Sequence, residues 1–191
     1  MAVRGDDGLL RCPWGDAPDD LRAYHDTEWG RPLHGDRAIF ERLSLEGFQS
    51  GLSWLTILRK RDAFRAAFDG FDIDAMAAYE ESDVQRLLGD AGIVRHRGKI
   101  EAVIANARVL RDWRHAEGDG VLDARVWASA TPAGRRPTTQ EDIPTTSPEA
   151  TALARDLKRR GWRFLGPTTA YAALQAIGVV DDHVADCHVA D

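Results

Sequence analysis

Apolar residues recur at helical spacing along most of the chain, and the alternation of apolar and polar residues that marks a half-buried strand is almost absent. Between residues 37 and 50, for example, Ile39, Phe40, Leu43 and Phe48 fall on one face of a helix. We therefore predict an all-α fold of seven or so short helices. The clearest are expected at residues 37–50, 54–68, 82–89, 97–114, 148–161 and 169–177.

Residues that favour helix ends support these boundaries. Asp36, Ser53 and Ser147 stand where N-caps are expected, and residues 82–85 (SDVQ) have the spacing of a capping box. The segment 131–148 holds four prolines and five threonines, which predicts a loop. We expect residues 1–10 to be a flexible extension and residues 11–191 to form a single domain.

Composition and charge narrow the possible functions. Of 191 residues, 43% are hydrophobic, yet no apolar run approaches the roughly 20 residues that span a bilayer, so no membrane partner is expected. Two cysteines cannot build a disulfide scaffold, which favours a reducing cytoplasm. The net charge of −6 argues against nucleic-acid binding. Two basic clusters, at 95–99 and 158–163, fit either a DNA-facing surface or an exposed helix face.

Both cysteines lie near the ends of the chain, each close to a histidine. Twelve residues separate Cys12 from His25, and three separate His183 from Cys187. Two thiolates and two imidazoles form a closed tetrahedral set for structural zinc, which would join the two irregular ends. On spacing alone, separately buried cysteines and histidines remain an alternative, and His188 could replace His183.

Residues 82–106 are typical of a helix, a glycine-containing hairpin and a second helix. Gly92 permits the tight turn, and Arg95, Arg97 and Lys99 flank the start of the second helix. Backbone amides at a helix N-terminus bind anions, so this segment is suited to hold a phosphodiester without reading base sequence. The alternative is an ordinary pair of helices with exposed basic residues.

The N-terminal third is rich in aromatic residues around one acidic side chain. Trp14, Tyr24 and Trp29 precede the first strongly predicted helix, and Trp54 follows it. Glu46 lies in that helix among apolar residues, where a buried carboxylate is costly without a partner. Local sequence slightly favours an exposed face for Glu46, because its neighbours at helical spacing are mixed, and the aromatic residues are as typical of a core as of a pocket.

Six motifs occur in one order from residue 11 to residue 187 and cover nearly the whole chain. They are 11–14 (RCPW), 24–30 (YHDTEWG), 45–54 (LEGFQSGLSW), 90–100 (DAGIVRHRGKI), 158–161 (KRRG) and 182–184 (DHV). On these motifs the sequence resembles the 3-methyladenine DNA glycosylase I family of the helix-hairpin-helix superfamily.

The resemblance implies a helix-hairpin-helix DNA glycosylase fold, with the hairpin motif at about 82–106. It also implies a structural zinc ion that joins the N- and C-terminal ends. The implied ligands are the four residues found by spacing, namely Cys12, His25, His183 and Cys187. The expected DNA contacts are the hairpin residues Gly92, Arg95, Arg97 and Lys99.

The resemblance further implies an enzyme of base-excision repair. It would rotate N3-methyladenine out of alkylated double-stranded DNA and hydrolyse the N-glycosidic bond. Glu46 would face the pocket and recognise the base, which reverses the local preference for an exposed position. Glu46 and Tyr24 are the expected catalytic residues, and Trp14, Trp29 and Trp54 complete the base-binding walls. No catalytic lysine is implied, so we expect a monofunctional glycosylase without lyase activity.

Two positions depart from the family pattern. Leu21 stands where some relatives carry a pocket tyrosine, which would make one wall aliphatic. Asp181 stands where relatives often have asparagine, two residues before His183. We hypothesise that Asp181 assists catalysis electrostatically, the alternative being a surface or capping acid.

Other functions remain to be distinguished from this one. A zinc-stabilised DNA-binding or lesion-sensing module would lack catalysis, and a zinc hydrolase would need a vacant coordination position. The residue that fills the gap after base flipping is left open among Gln49, Ser50 and Leu52. The expected state is a monomer, and the expected location is the bacterial cytoplasm in association with the nucleoid.

Overall fold

The computed structural model describes residues 1–132 and 134–189, and within them the chain forms nine α-helices and one two-stranded antiparallel sheet. The sheet pairs β1 (Val3–Arg4) with β2 (Leu10–Arg11). The helices are α1 (Asp19–Thr27), α2 (Asp36–Gln49), α3 (Trp54–Ala67), α4 (Ile73–Ala77), α5 (Glu81–Gly89), α6 (Arg97–Glu117), α7 (Val121–Trp127), α8 (Pro148–Arg159) and α9 (Pro167–Ile177). The predicted all-α architecture is confirmed. Residue 133 of the predicted loop and residues 190 and 191 of the predicted domain lie outside the described residues.

Helix α2 organises the core because it packs against α3, α6, α7 and α9. The apolar stripe predicted from sequence is buried, with Ile39, Phe40, Leu43 and Phe48 each at most 2% exposed. One continuous cluster of buried apolar side chains joins α2 to the helices that follow it. Among the residues that the structure describes, no helix is both long and apolar enough to cross a membrane.

Two of the four predicted helix starts, those at Ser53 and Ser147, are capped as expected. The Ser53 hydroxyl accepts a hydrogen bond from the Thr56 amide at 3.2 Å, and Ser147 caps α8 in the same way. Helix α5 differs, because the Asp83 carboxylate accepts from the Glu80 amide, so its cap is formed by residues 80–83 rather than 82–85. Helices α1, α4 and α7 were not predicted, since their nine, five and seven residues are fewer than the window of about 11 residues over which helical periodicity can be recognised.

The N-terminal residues contact the body of the protein through side-chain and backbone hydrogen bonds, and the flexible extension at residues 1–10 stays a prediction. The Arg11 side chain is 2% exposed and donates hydrogen bonds to the carboxylates of Asp7 and Asp26. The amide of His188 donates to the carbonyl of Leu10 at 2.7 Å. The β1–β2 hairpin is therefore held by a buried charge and by the C-terminal segment, neither of which is visible in the local composition.

Asp36 has a different role from the one expected. Gly35 occupies the N-cap position of α2, and the Asp36 carboxylate instead accepts hydrogen bonds from the amides of Gly120, Leu122 and Asp123 at 2.9–3.0 Å. These amides form the start of α7, where an anion is favourable. Asp36 thus fastens α7 to the first turn of α2.

We predict that Asp36→Ala lowers the free energy of unfolding by about 2–3 kcal/mol, because one buried and two partly buried amides lose a shared charged acceptor. Urea denaturation checks this. Asp119→Ala is the matched control, since Asp119 is 82% exposed and, among the residues that the structure describes, pairs with Arg114 alone, and a surface pair contributes little. Equal losses in the two variants would contradict the assigned role of Asp36.

Candidate active site

A cavity of about 350 Å³ opens between the N-terminal segment, α2 and α9. Its described lining combines aromatic rings, one carboxylate and three amides: Trp14, Tyr24, Trp29, Glu46, Gln49, Trp54, Gln140, Ile143, Ala172 and Gln175. The volume and the flat aromatic walls suit a planar heterocycle of the size of a purine. All five residues assigned to base binding from the sequence are among these lining residues.

The aromatic rings form a continuous wall. Trp14 contacts Trp29 edge to face with ring centroids 5.0 Å apart, and Tyr24 lies 5.2 Å from Trp54 and 6.3 Å from Trp14. Helix α1 carries Tyr24 and α3 carries Trp54 in its first turn, so the two helices set the width of the pocket. Such π-faces attract cations as well as planar rings.

Glu46 is buried, so the local sequence preference for an exposed face is wrong. Its side chain is 5% exposed and lies in the cavity wall on α2. Burial raises the pKa of the Glu46 carboxyl to about 7, against an opposing effect of Arg42 one turn away. The group therefore changes charge close to neutral pH in the wall of the cavity.

Arg42 is a site residue that the sequence analysis missed. It is 8% exposed, it donates a hydrogen bond to the Tyr24 hydroxyl at 2.8 Å, and its guanidinium lies 5.3 Å from the Tyr24 ring centroid. Behind it, Glu28 lies 3.9 Å from Arg42 and accepts a bidentate pair from Arg61. Arg42 precedes Glu46 by four residues, so both side chains lie on one side of α2. This spacing is the one feature of the sequence that points to Arg42 as a site residue.

The two thiols and two imidazoles predicted as metal ligands converge into one buried cluster. Their ligand atoms all lie within 4.8 Å of one another, although the residues come from opposite ends of the chain. The Nδ1 atom of His183 lies 3.6 Å from the sulfurs of Cys12 and Cys187, and the Nε2 atom of His25 lies 3.6 Å from Cys187. This donor set can hold a metal ion.

Hydrogen bonds outside the cluster orient its members. The Nδ1 atom of His25 lies 2.8 Å from Asp26, and the Nε2 atom of His183 lies 3.2 Å from the carbonyl of Trp29. Each imidazole thus turns its other nitrogen toward the cluster, as in metal sites generally. Contact with Cys12 and with the two imidazoles, against the effect of burial, lowers the pKa of the Cys187 thiol. His188 pairs with Asp26 instead of joining the four ligands.

The Cys₂His₂ cluster also supports the pocket wall. The ring of Trp29 contacts His183 edge to face with centroids 4.6 Å apart, and Trp14 contacts His25 in the same manner at 5.1 Å. Both tryptophans therefore have an imidazole on one side and the cavity on the other. Their orientation depends on the cluster more than on helix packing, because Trp14 lies in a three-residue 3₁₀ turn and Trp29 follows the end of α1.

The hairpin residues predicted to contact DNA do not form one set. Arg95 is exposed, whereas Arg97 is paired with Glu81 and Glu101 on the flanking helices. Lys99 is 7% exposed and donates to the carbonyls of Phe48 and Ser50 at 2.9 and 2.6 Å. The Lys99 ammonium thus ties α6 to the end of α2, and the assignment of Lys99 to DNA contact stays a prediction.

Gly92 lies in the turn that the hairpin prediction requires. Its amide donates to the Asp90 carboxylate at 2.7 Å, and its carbonyl accepts from Lys60 at 3.1 Å. A side chain at this position would meet the Asp90 carboxylate and the Ala63 methyl group at about 3 Å. The glycine is thus needed for a compact turn between α5 and α6.

The two departures from the family pattern lie away from the cavity wall. Asp181 pairs with Arg136 at 2.6 Å and accepts from the amide of His183, which are the contacts of a capping acid and not of a group in the pocket. Leu21 is partly buried one turn before Tyr24 and is not among the described lining residues. The neighbouring Asp182 instead reaches the site indirectly, by accepting from Gln175 at 2.7 Å.

Fold and site together define a class: helical proteins with a helix-hairpin-helix segment and an aromatic base-sized pocket backed by a Cys₂His₂ cluster. Comparison with known proteins makes this specific. Residues 14–190 match the methyladenine glycosylase family, and the chain belongs to that family.

Relatives and solved structures agree with the family assignment. The chain is 45% identical to DNA-3-methyladenine glycosylase 1 of Escherichia coli strain K12, over 94% of this chain and 96% of the relative. A crystal structure of 3-methyladenine DNA glycosylase I superposes with a TM-score of 0.88 at 44% identity, covering 93% of this chain and 98% of that one. The Staphylococcus aureus enzyme, whose structure concerns 3-methyladenine recognition, superposes with a TM-score of 0.87 at 35% identity over 95% and 96% of the two chains.

The buried carboxylate predicts a pH-dependent stability difference. Because folding raises the Glu46 pKa from 4.5 to about 7, wild-type stability declines as the pH rises through that interval relative to Glu46→Gln, which does not titrate. At about 1.4 kcal/mol per pKa unit, the variant gains about 3 kcal/mol above pH 8 and nothing below pH 4. Urea denaturation across this range measures it, with exposed Glu117→Gln as the control. A constant difference at all pH values would disprove the burial effect.

Proposed function

We propose that this protein removes N3-methyladenine from alkylated double-stranded DNA by hydrolysing its N-glycosidic bond. The observation that carries the proposal is a buried carboxylate, Glu46, in the wall of an aromatic cavity of purine size. The names of its relatives, which are DNA-3-methyladenine glycosylases, support the same activity. The base reaches this cavity only if the nucleotide is rotated out of the duplex.

Charge is the proposed basis of recognition. N3-methylation gives adenine a positive charge, which the rings of Tyr24 and Trp54 and an ionised Glu46 would stabilise. The carboxylate would accept a hydrogen bond from the exocyclic amine. The Trp54 indole N–H is buried without an acceptor among the described residues, so a ligand acceptor would satisfy it. Because Arg42 donates to the Tyr24 hydroxyl, the proton of that hydroxyl is directed elsewhere and is available to a ligand.

The proposed reaction needs little acid catalysis. As the bond between N9 and C1′ breaks, its electron pair enters the methylated ring, and the base leaves as a neutral molecule. The oxygen of a water molecule forms the new bond to C1′ and releases one proton, which leaves an abasic site. Glu46 would oppose the positive charge of base and sugar during this step, and Tyr24 would hold the base in position. Water, rather than a lysine amine, acts as the nucleophile, so no lyase step follows.

We propose that the metal is zinc and that its role is structural. A tetrahedral zinc ion with Zn–S of about 2.3 Å and Zn–N of about 2.0–2.1 Å holds sulfur and nitrogen about 3.6 Å apart. The three sulfur–nitrogen distances of 3.6 Å in the cluster fit this geometry. Four protein ligands leave no position for a reactive water, so the ion would hold the chain ends and the tryptophans behind the pocket.

The remaining assignments follow from this activity. Residues 11–191 would act as one glycosylase domain, monomeric on the duplex, with Arg95 and the turn at Gly92 beside the DNA backbone. A repair enzyme for chromosomal DNA would work in the bacterial cytoplasm at the nucleoid. These points are proposals that rest on the excision activity.

The central test is release of free bases from methylated duplex DNA, resolved by chromatography. We predict release of 3-methyladenine by the wild type and a loss of about 100-fold in single-turnover rate for Glu46→Gln, with Glu117→Gln unchanged. If ionised Glu46 is the active form, the wild-type rate falls as the pH drops through about 7, whereas the variant shows no such dependence.

The outcomes of this test separate the candidate functions. Equal rates of base release for wild type and Glu46→Gln would support glycosylase activity but reject the role assigned to Glu46. Duplex binding without any base release by the folded wild type would favour a binding or lesion-sensing module. Release of 7-methylguanine at a comparable rate would reject the proposed specificity for N3-methylated adenine.

The metal assignment predicts about one zinc per chain in the pure protein. Cys187→Ser should lose the ion and lower the melting temperature, because it removes a ligand from a site that joins both chain ends. His188→Gln is the matched control, since His188 is adjacent to Cys187 and pairs with Asp26 outside the ligand set, and it should retain the ion. A folded metal-free wild type, or zinc loss in His188→Gln alone, would refute the ligand set.

A further inference from the structure

A second groove lies beside the proposed base pocket and has no role in the function derived above. Its volume is about 700 Å³, and it lies between α8, the turn that follows it and the first turn of α9. The described residues that line it are Ser50, Thr151, Ala154, Arg155, Lys158, Trp162, Arg163, Phe164, Leu165, Gly166, Pro167 and Thr169. We call this the α8–α9 groove.

The α8–α9 groove is basic in an acidic protein. Three of its lining residues, Arg155, Lys158 and Arg163, are cationic and exposed, and none of the described lining residues is acidic. No carboxylate of the described chain lies within 4 Å of these three cations. Arg155 and Lys158 are three residues apart on α8 and so project from one face of the helix.

The basic sequence cluster at 158–163 is divided by this geometry. Arg159 and Arg160 turn away from the groove, where Arg159 pairs with Asp156 and Arg160 covers the ring of Trp113 at 3.7 Å. Lys158 faces the groove, and Arg163 lies between the groove and a second depression that contains Glu80, Glu81 and Glu101. Ion pairs with neighbouring acids account for Arg159 and Arg160 on an exposed helix face, whereas no carboxylate of the described chain lies within 4 Å of the Lys158 ammonium.

The groove is continuous with the two parts of the protein assigned to DNA. Ser50 lines the groove and also a smaller depression that includes Glu46, at the mouth of the base pocket. At the other side, Phe164 is 46% exposed and its ring lies 6.3 Å from that of His96, the N-cap of α6. The Asn106 side chain holds the backbone of Arg163 through hydrogen bonds of 2.8 and 3.1 Å, so this junction has a fixed geometry.

We propose that the α8–α9 groove binds the phosphate backbone of the DNA strand that flanks the flipped nucleotide. The inference rests on the proposed function, since it takes DNA as the occupant. Cations without acidic partners bind phosphodiesters regardless of base sequence, which suits an enzyme that must examine every sequence context. The position between the pocket mouth and the hairpin gives one strand a continuous path across both.

The test compares two variants with the same change in net charge. Arg155→Gln/Lys158→Gln removes two groove cations. Arg37→Gln/Arg159→Gln removes two exposed arginines that lie outside the groove and pair with Asp72 and Asp156. The probe is a fluorescein-labelled duplex that carries a tetrahydrofuran abasic-site analogue, and its Kd is measured by anisotropy across a salt series.

We expect the groove variant to lose on the order of tenfold in affinity at low salt and to reduce the slope of log Kd against log salt by about 1.8, which corresponds to two phosphate contacts. The control should keep the wild-type slope. Free 3-methyladenine should quench tryptophan fluorescence equally in all three proteins, because the pocket is unchanged. In single-turnover excision, the half-saturating enzyme concentration should rise while the maximal rate stays the same.

Two results would overturn the proposal. Equal slopes for the groove variant and the control would show that the groove holds no phosphate. A loss confined to maximal rate would show that the cations act on the pocket instead of on DNA binding. Failure of the proposed function gives a different result. If the wild type releases no base but its salt slope still depends on the groove cations, the groove binds DNA and the proposed glycosylase activity is rejected.

Discussion

The convergence of two thiols and two imidazoles from opposite ends of the chain is the constraint on which the site depends. Cys12 and His25 lie before helix α2, and His183 and Cys187 lie after α9. Their convergence therefore joins the two ends of the chain. The rings of Trp14 and Trp29 rest directly on the two imidazoles. Because these tryptophans lie outside regular helices, the cluster replaces helix packing as the element that fixes the pocket wall.

The pocket wall opposite the two tryptophans contains Glu46, and burying this carboxylate costs free energy. The charged residues around it limit that cost. Burying Glu46 disfavours its charge, which is why the pKa of its carboxyl rises to about 7. Arg42 lies one turn away and opposes this shift, while Glu28 and Arg61 complete a charge network behind it. The Glu46 carboxyl thus titrates near neutral pH. Packing in the rest of the protein offsets the folding stability that is lost by burying it.

Local signals in the sequence predict those parts of the structure that depend on local interactions. The caps at Ser53 and Ser147 satisfy amides three residues away, so a short motif is enough to find them. Other residues depend on distant partners. Asp36 caps a helix 84 residues further on, and Lys99 reaches carbonyls about 50 residues earlier. The family resemblance, and not periodicity, was needed to predict that Glu46 faces the pocket, because the residues that share the cavity wall with it come from α1, α3, α9 and the N-terminal segment.

The distribution of charge explains how a protein with a net charge of −6 can bind a polyanion. Acidic side chains line the cleft between α2, α4 and α7, where Glu41, Asp72, Asp74 and Asp119 accompany Asp36. The α8–α9 groove contains only cations among its described charged residues. Since the Debye length is about 8 Å at physiological salt, a phosphate in the groove responds to the cations beside it and little to acids elsewhere on the surface. The net charge of the protein therefore causes only a weak long-range repulsion of DNA. The local arrangement of cations determines where a strand binds and in which orientation the pocket meets it.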